Sequence, residues 1–157
     1  MQTRFDMFSS ELMTQFFRRF NGASQVAAES ALPKTVQELV RVRASQINGC
    51  GYCTDMHTKD ALAAGETQLR LNLVAAWRDA AVFTEAERAA LALAEEGTRL
   101  ADASTGVSDE AWQYARKHFD DEQLAALIIV IAVINAWNRL NVIAGTPAGD
   151  YEPGQFG

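Results

Sequence analysis

Basic residues are in the minority in this sequence: 14 Lys and Arg against 20 Asp and Glu, a net charge of −6 over 157 residues. The cations are scattered and form no stripe, so there is no electrostatic footprint for a phosphate backbone, and a nucleic-acid partner is not expected. No apolar run reaches the roughly 20 residues of a membrane span. The longest, Leu124 to Ile134, has eleven residues, about fourteen if carried to Trp137, and is read as a buried helix. The N-terminus, MQTRFDMFSSELMTQFF, has no basic stretch followed by an uninterrupted apolar one, so no export signal is read and a cytoplasmic protein is expected. Prolines number three, and no alternating β-branched segment lies between turn signals, which excludes a sheet and leaves an all-α chain. No internal repeat or low-complexity tract is present, and the length suits one domain over residues 1–157.

Helical punctuation divides the chain. A first helix is expected over Phe5 to Phe20, stopped by Asn21-Gly22, and a second from Pro33, at its first helical position, to Asn48-Gly49. A third runs from about Cys50 to Ala64 with Gly65 as cap, and a short segment covers Thr67 to Trp77. Thr84 and Glu87 have the spacing of a capping box opening a helix to about Leu100. Ser108 and Asp109 open a shorter one to His118. Asp120 and Asp121 precede the long apolar helix ending near Val142. The tail 144–157, with two of the prolines and four glycines, is expected to be irregular, with Tyr151 and Phe156 packed on a surface of this chain or a neighbour.

Cysteine is scarcer still. The two in the chain, Cys50 and Cys53, lie three residues apart, and His57 follows four later. On a helix starting near Cys50 these three share one face. A thiol in the first turn meets unpaired backbone N–H groups and the positive end of the helix dipole, which favour thiolate. A thiolate attacks a peroxide oxygen or a disulfide sulfur, and a neighbour three residues away can resolve the resulting sulfenic acid. His57 is the candidate base. Glu38 would lie about 18 Å from Cys50 along a straight helix. If the chain doubles back at Asn48-Gly49, however, Glu38 faces His57 and can orient it.

Three other readings stand beside this one: two buried small hydrophobes; zinc held by Cys50, Cys53 and His57 with Glu38 or Asp55; and thioredoxin-like chemistry, which normally needs a βαβ context. No second C-x-x-C or H-x-x-x-H completes a strong metal site, and no metal or cofactor is expected. His118, after Arg116 and Lys117 at a helix end, is read as structural or solvated. Trp77, Trp112 and Trp137 are read as core or interface anchors, and Arg41 and Arg43 as surface charges or intersubunit pairs.

The order Glu38, Cys50, Cys53, His57, with Ser45, Asn48 and Tyr52 between, resembles the AhpD-like alkylhydroperoxidases of the carboxymuconolactone decarboxylase superfamily. The motif covers residues 33–65, and the later segment NAWNRLNVIAGTPAGDYEPG is similar to the end of smaller members. The resemblance implies an all-helical bundle, trimeric or hexameric, that reduces small organic hydroperoxides. It implies Cys53 as peroxidatic thiol, Cys50 as resolving thiol, and Glu38 with His57 as a proton relay. It also implies a reducing adaptor protein of lipoyl or thioredoxin type. Tyr52 stands where the best-known member has a further relay histidine. Superfamily decarboxylases typically lack the C-x-x-C pair, so an acid–base enzyme using Glu38 and His57 is the alternative.

Overall fold

The computed structural model describes residues 3–103 and 106–155. Its elements are α1 (Glu11–Ala28), α2 (Lys34–Ile47), α3 (Gly51–Ala63), α4 (Gln68–Leu73), α5 (Glu85–Thr98), α6 (Asp109–His118) and α7 (Asp121–Ala144), with 3-10 turns at Met7–Ser9 and Val74–Asp79. Among the described residues there is no strand, as expected.

Local chemistry sets most of the boundaries. Ser10, Thr67, Thr84, Ser108 and Asp120 each accept a backbone N–H in the first turn of α1, α4, α5, α6 and α7, satisfying donors the helix leaves open. Thr84 and Glu87 form the expected capping box, and Asp120 with Gln123 forms a second. Pro33 takes the N-cap of α2, one position earlier than expected.

The first helix departs most from expectation. It starts at Glu11 and passes straight through Asn21-Gly22 to Ala28. A glycine inside a helix costs about 1 kcal/mol, and packing outweighs that cost here. Phe17 stacks on Trp137 of α7 and Phe20 lies tilted against it, at 5.4 and 5.0 Å between ring centroids, and Ala27 is buried in the core beyond the glycine. Nothing touches Gly22 to enforce a turn. The segment expected over Thr67 to Trp77 resolves into α4 and a 3-10 turn.

The long apolar helix α7 is the centre of the molecule, packed on α1, α2, α3, α5 and α6. It extends ten residues past the apolar run. By length and composition alone it could cross a bilayer; its buried Leu124, Leu127, Val130, Ile131 and Ile134, and three asparagines beyond them, give it the place of a core helix. Burying each of those aliphatic side chains contributes roughly 1.5–3 kcal/mol. One core cluster joins Leu32, Val36, Val40, Leu93, Leu127 and Val130; a second joins Leu39, Val42, Leu71, Val74, Trp77 and Leu91. Between them a small third cluster holds Ala44, Cys50, Cys53 and Ile134.

Arg43, expected at a surface or subunit contact, is instead paired within the chain. Its Nε lies 2.6 Å from Glu95, which also accepts from Arg78 and from the Trp77 indole at 3.1 Å. The tail lies on its own α3: Tyr151 is buried and its hydroxyl donates to Asp60 at 2.8 Å, while Lys59 holds the carbonyls of Gly149 and Tyr151. Phe156 lies outside the described residues. His118 is half-buried against the Tyr114 ring, and its Nε2 has no hydrogen-bond partner.

Candidate active site

The turn between α2 and α3 is the device that assembles the site. Asn48 ends α2 in helical conformation and Gly49 follows at φ +65°, a left-handed geometry that costs a side chain roughly 1–2 kcal/mol. The Gly49 N–H donates to the Gln46 carbonyl at 3.3 Å and the Cys50 N–H to the Ser45 carbonyl at 3.0 Å. This is a Schellman closure, which satisfies the last carbonyls of α2 and reverses the chain within two residues. Cys50 then becomes the N-cap of α3: extended in backbone, it accepts the Cys53 N–H on its sulfur at 3.3 Å.

Both cysteines are free thiols and almost fully buried, at 2% and 1% exposure. They share charge unequally. The hydrogen bond from the Cys53 thiol pulls the Cys50 thiol below its ordinary value against the effect of burial, and the Cys53 N–H and the Asn138 amide add to it. Cys53 is pushed up, because it gives its S–H to Cys50, because it is buried, and because it faces the charge on Cys50; the amides of Asn138 and Asn141 pull the other way. Of the two, ionisation is therefore favoured at the N-cap sulfur.

The chain reversal brings Glu38 to His57, as the turn predicts: Nδ1 of His57 lies 2.9 Å from Oε2 of Glu38. Burial alone would raise Glu38, but the hydrogen bond to His57 and the charges of His57 and Arg41 outweigh it and hold the group below the ordinary carboxylate range. An ionised carboxylate has no proton to give, so Nδ1–H of His57 is the donor in this pair. Arg41 pairs with the other Glu38 oxygen and reaches Gln37 at 3.0 Å, an internal pairing where an intersubunit one was open.

Sequence reasoning missed the contribution of α7. Asn135, Asn138 and Asn141 are buried at intervals of three on an otherwise apolar helix. The Asn48 amide donates to the carbonyl oxygens of Asn135 and Asn138, both at 2.9 Å, stitching the α2–α3 turn to α7. Asn138 donates to Ser45 at 3.0 Å. Asn141 donates to the Cys53 sulfur at 3.5 Å and to the Trp137 carbonyl at 3.0 Å. The signal was present: a buried helix has no use for an amide every third residue unless something polar faces it.

A cavity of about 380 Å³ lies between α1, α3 and α7, walled by Phe8, Phe17, Met56, Val130, Ile134 and Trp137. Cys53, His57, Tyr52, Arg41 and Asn141 also line it; Cys50 does not. Burial, with repulsion from the cysteine pair and from Asp55 once these are ionised, raises Tyr52 above its ordinary value, so it enters as a neutral phenol. Asp55, the alternative fourth zinc ligand, is turned to Lys59 and the Gly149 N–H. Among the described residues no three of His, Cys, Asp and Glu converge closely enough to hold a metal ion.

Residues 13–96 match the profile of the carboxymuconolactone decarboxylase family. The chain is 40% identical over 120 residues to the uncharacterised protein YdfG of Bacillus subtilis (strain 168), spanning 76% of this chain and 80% of that one. Its fold is similar to that of ATU0492 from Agrobacterium tumefaciens, a protein of unknown function considered a candidate AhpD-type antioxidant defence protein. The TM-score is 0.87 at 32% identity, covering 96% of this chain and all of the other. An uncharacterised peroxidase-related protein from Silicibacter sp. TM1040 is also similar, with a TM-score of 0.75 at 26% identity over 92% of this chain and 75% of that one.

Proposed function

The chain belongs to the carboxymuconolactone decarboxylase family as an AhpD-like member, and from that premise we propose that it is a thiol-dependent peroxidase for small organic hydroperoxides. The observation that carries the proposal is the cavity: a largely apolar chamber that Cys53, His57 and Tyr52 all line. Such a chamber suits the carbon skeleton of an alkyl or aryl hydroperoxide.

Cys53, the cavity-facing sulfur, is the nucleophile. Its proton passes to the Cys50 thiolate, with which it already shares a hydrogen bond. The Cys53 thiolate attacks the terminal oxygen of R–O–OH, so that an S–O bond forms, the O–O bond breaks, and RO⁻ leaves. His57, oriented by Glu38, relays the proton that converts RO⁻ to ROH. The Cys50 sulfur then displaces hydroxide from the Cys53 sulfenic acid, giving a Cys50–Cys53 disulfide and water. Two thiols are oxidised and one peroxide is reduced to an alcohol.

Regeneration requires a dithiol. Because both sulfurs are buried and only Cys53 lines the cavity, a long lipoyl arm on an adaptor protein suits this site better than a thioredoxin-type surface cysteine. Exposed Leu12, Phe16, Val142 and Ile143 support a trimer or hexamer of this chain.

Turnover of hydroperoxide by purified protein, with a dithiol supplied, tests the reading. Activity should vanish in Cys53→Ser. Activity that survives replacement of both cysteines would instead mark an acid–base enzyme built on Glu38 and His57.

A further inference from the structure

We propose that Asn141 is a catalytic residue: its side-chain N–H is the donor that carries negative charge on the Cys53 sulfur while that sulfur reacts. For its catalytic meaning the inference rests on the peroxidase reading; its geometry does not. The Asn141 amide nitrogen has two hydrogens. One is given to the Trp137 carbonyl one turn back on α7 at 3.0 Å, and the other is aimed at Cys53 Sγ at 3.5 Å. The first bond fixes the second, because an amide anchored to its own helix cannot turn its N–H away from the sulfur. Asn141 is itself only 6% exposed, so no water competes freely for the donor.

The need for such a donor follows from the placement of the two thiols. Cys50 has the backbone N–H of Cys53 and the N-terminus of α3 to hold its charge. Cys53, one turn further in, has neither: its own N–H points at Cys50. The charge it must carry at the moment of attack is opposed by burial and by its neighbour. The donors within reach come from α7, which also lines the cavity where the peroxide enters. A hydrogen bond to the anionic form of a buried group is worth more than one to the neutral form, so the amide favours thiolate over thiol. Asn138 assists from beneath, held by Asn48 and Ser45.

The test reads charge on sulfur without using peroxide. In a Cys50→Ser background Cys53 is the sole cysteine, and the pH dependence of its alkylation by iodoacetamide, followed by mass, gives its thiolate midpoint. Asn141→Leu, similar in size but without a donor, should raise that midpoint by about one unit, roughly a tenfold loss of thiolate at pH values well below it. Asn141→Asp, the closest match in shape, places a second negative charge at the sulfur and should raise it further. A residue that merely fills space would leave the Leu variant at the parent value. Any pattern other than a rise in both variants, with Asp above Leu, overturns the proposal. If the midpoints rise but hydroperoxide is not turned over by the native protein, Asn141 keeps its role as thiolate donor and the peroxidase reading fails. If the midpoints coincide while turnover is normal, Asn141 alone is removed.

Discussion

His57 Nδ1 and Glu38 Oε2 lie 2.9 Å apart although they stand nineteen positions apart in the chain. The contact exists because two helices are folded against each other by a two-residue turn, and it gives the imidazole one tautomer and one orientation. Glu38→Gln keeps a hydrogen-bond acceptor but removes the charge that steadies a protonated ring. Peroxide-driven thiol oxidation should fall about 10- to 100-fold, less than the roughly 100- to 10,000-fold that a general acid–base group itself contributes, because His57 remains, while the helix content measured by circular dichroism stays unchanged.

The turn itself can be tested. Gly49 has space around it, so a methyl group there would meet no neighbour, but its φ of +65° is strained for any side chain. Gly49→Ala should cost about 1–2 kcal/mol in chemical denaturation. It should also slow thiol oxidation, because the reversal sets where Cys50 begins α3. Unchanged stability and rate would show that the turn has no part in placing the sulfurs.

Cavity shape should govern substrate size. Phe17 stacks on Trp137, and both line the chamber. Phe17→Ala removes one wall, and KM for cumene hydroperoxide should rise several-fold while the rate with hydrogen peroxide changes little. Equal effects on both peroxides would separate the chamber from substrate recognition.

The acid stability of the fold should depend on Glu95. Burial would raise this carboxyl, but hydrogen bonds from Arg78, Arg43 and Trp77 hold it below its ordinary value of about 4.5. A group lowered on folding contributes stability above its unfolded pKa, and that contribution disappears as pH falls through the folded value. Denaturation midpoints of the native protein should therefore drop steeply below about pH 4.5. Glu95→Gln should flatten that slope and cost about 1–3 kcal/mol at pH 7, since it leaves the half-buried Arg43 guanidinium without its carboxylate. An unchanged slope would assign acid sensitivity elsewhere.

The sequence disclosed what local rules control. Caps at Thr84, Ser108 and Asp120 marked helix starts, and Asn48-Gly49 marked the reversal that joins Glu38 to His57, since a glycine past a helix end has few other uses. The same dipeptide signal at Asn21-Gly22 misled, because there the neighbours of the glycine are decided by Phe17, Phe20 and Trp137, which are distant in sequence. The asparagines of α7 were hidden for a related reason. Each is unremarkable alone, and their purpose becomes legible only when Cys53 and Asn48 are seen to face them. The internal pairing of Arg41 and Arg43 was undecidable for want of the same tertiary information.

The central claim is that Cys53, opening on the apolar chamber, reduces an organic hydroperoxide with Cys50 as its resolving partner. Stopped-flow mixing of the reduced protein with cumene hydroperoxide, with free thiols and alcohol product counted, tests it directly. The account predicts the loss of two thiols per alcohol formed, a Cys50→Ser variant that stops at a sulfenic acid on Cys53, and no reaction in Cys53→Ser. Thiol oxidation or alcohol formation at full rate in Cys53→Ser would contradict it.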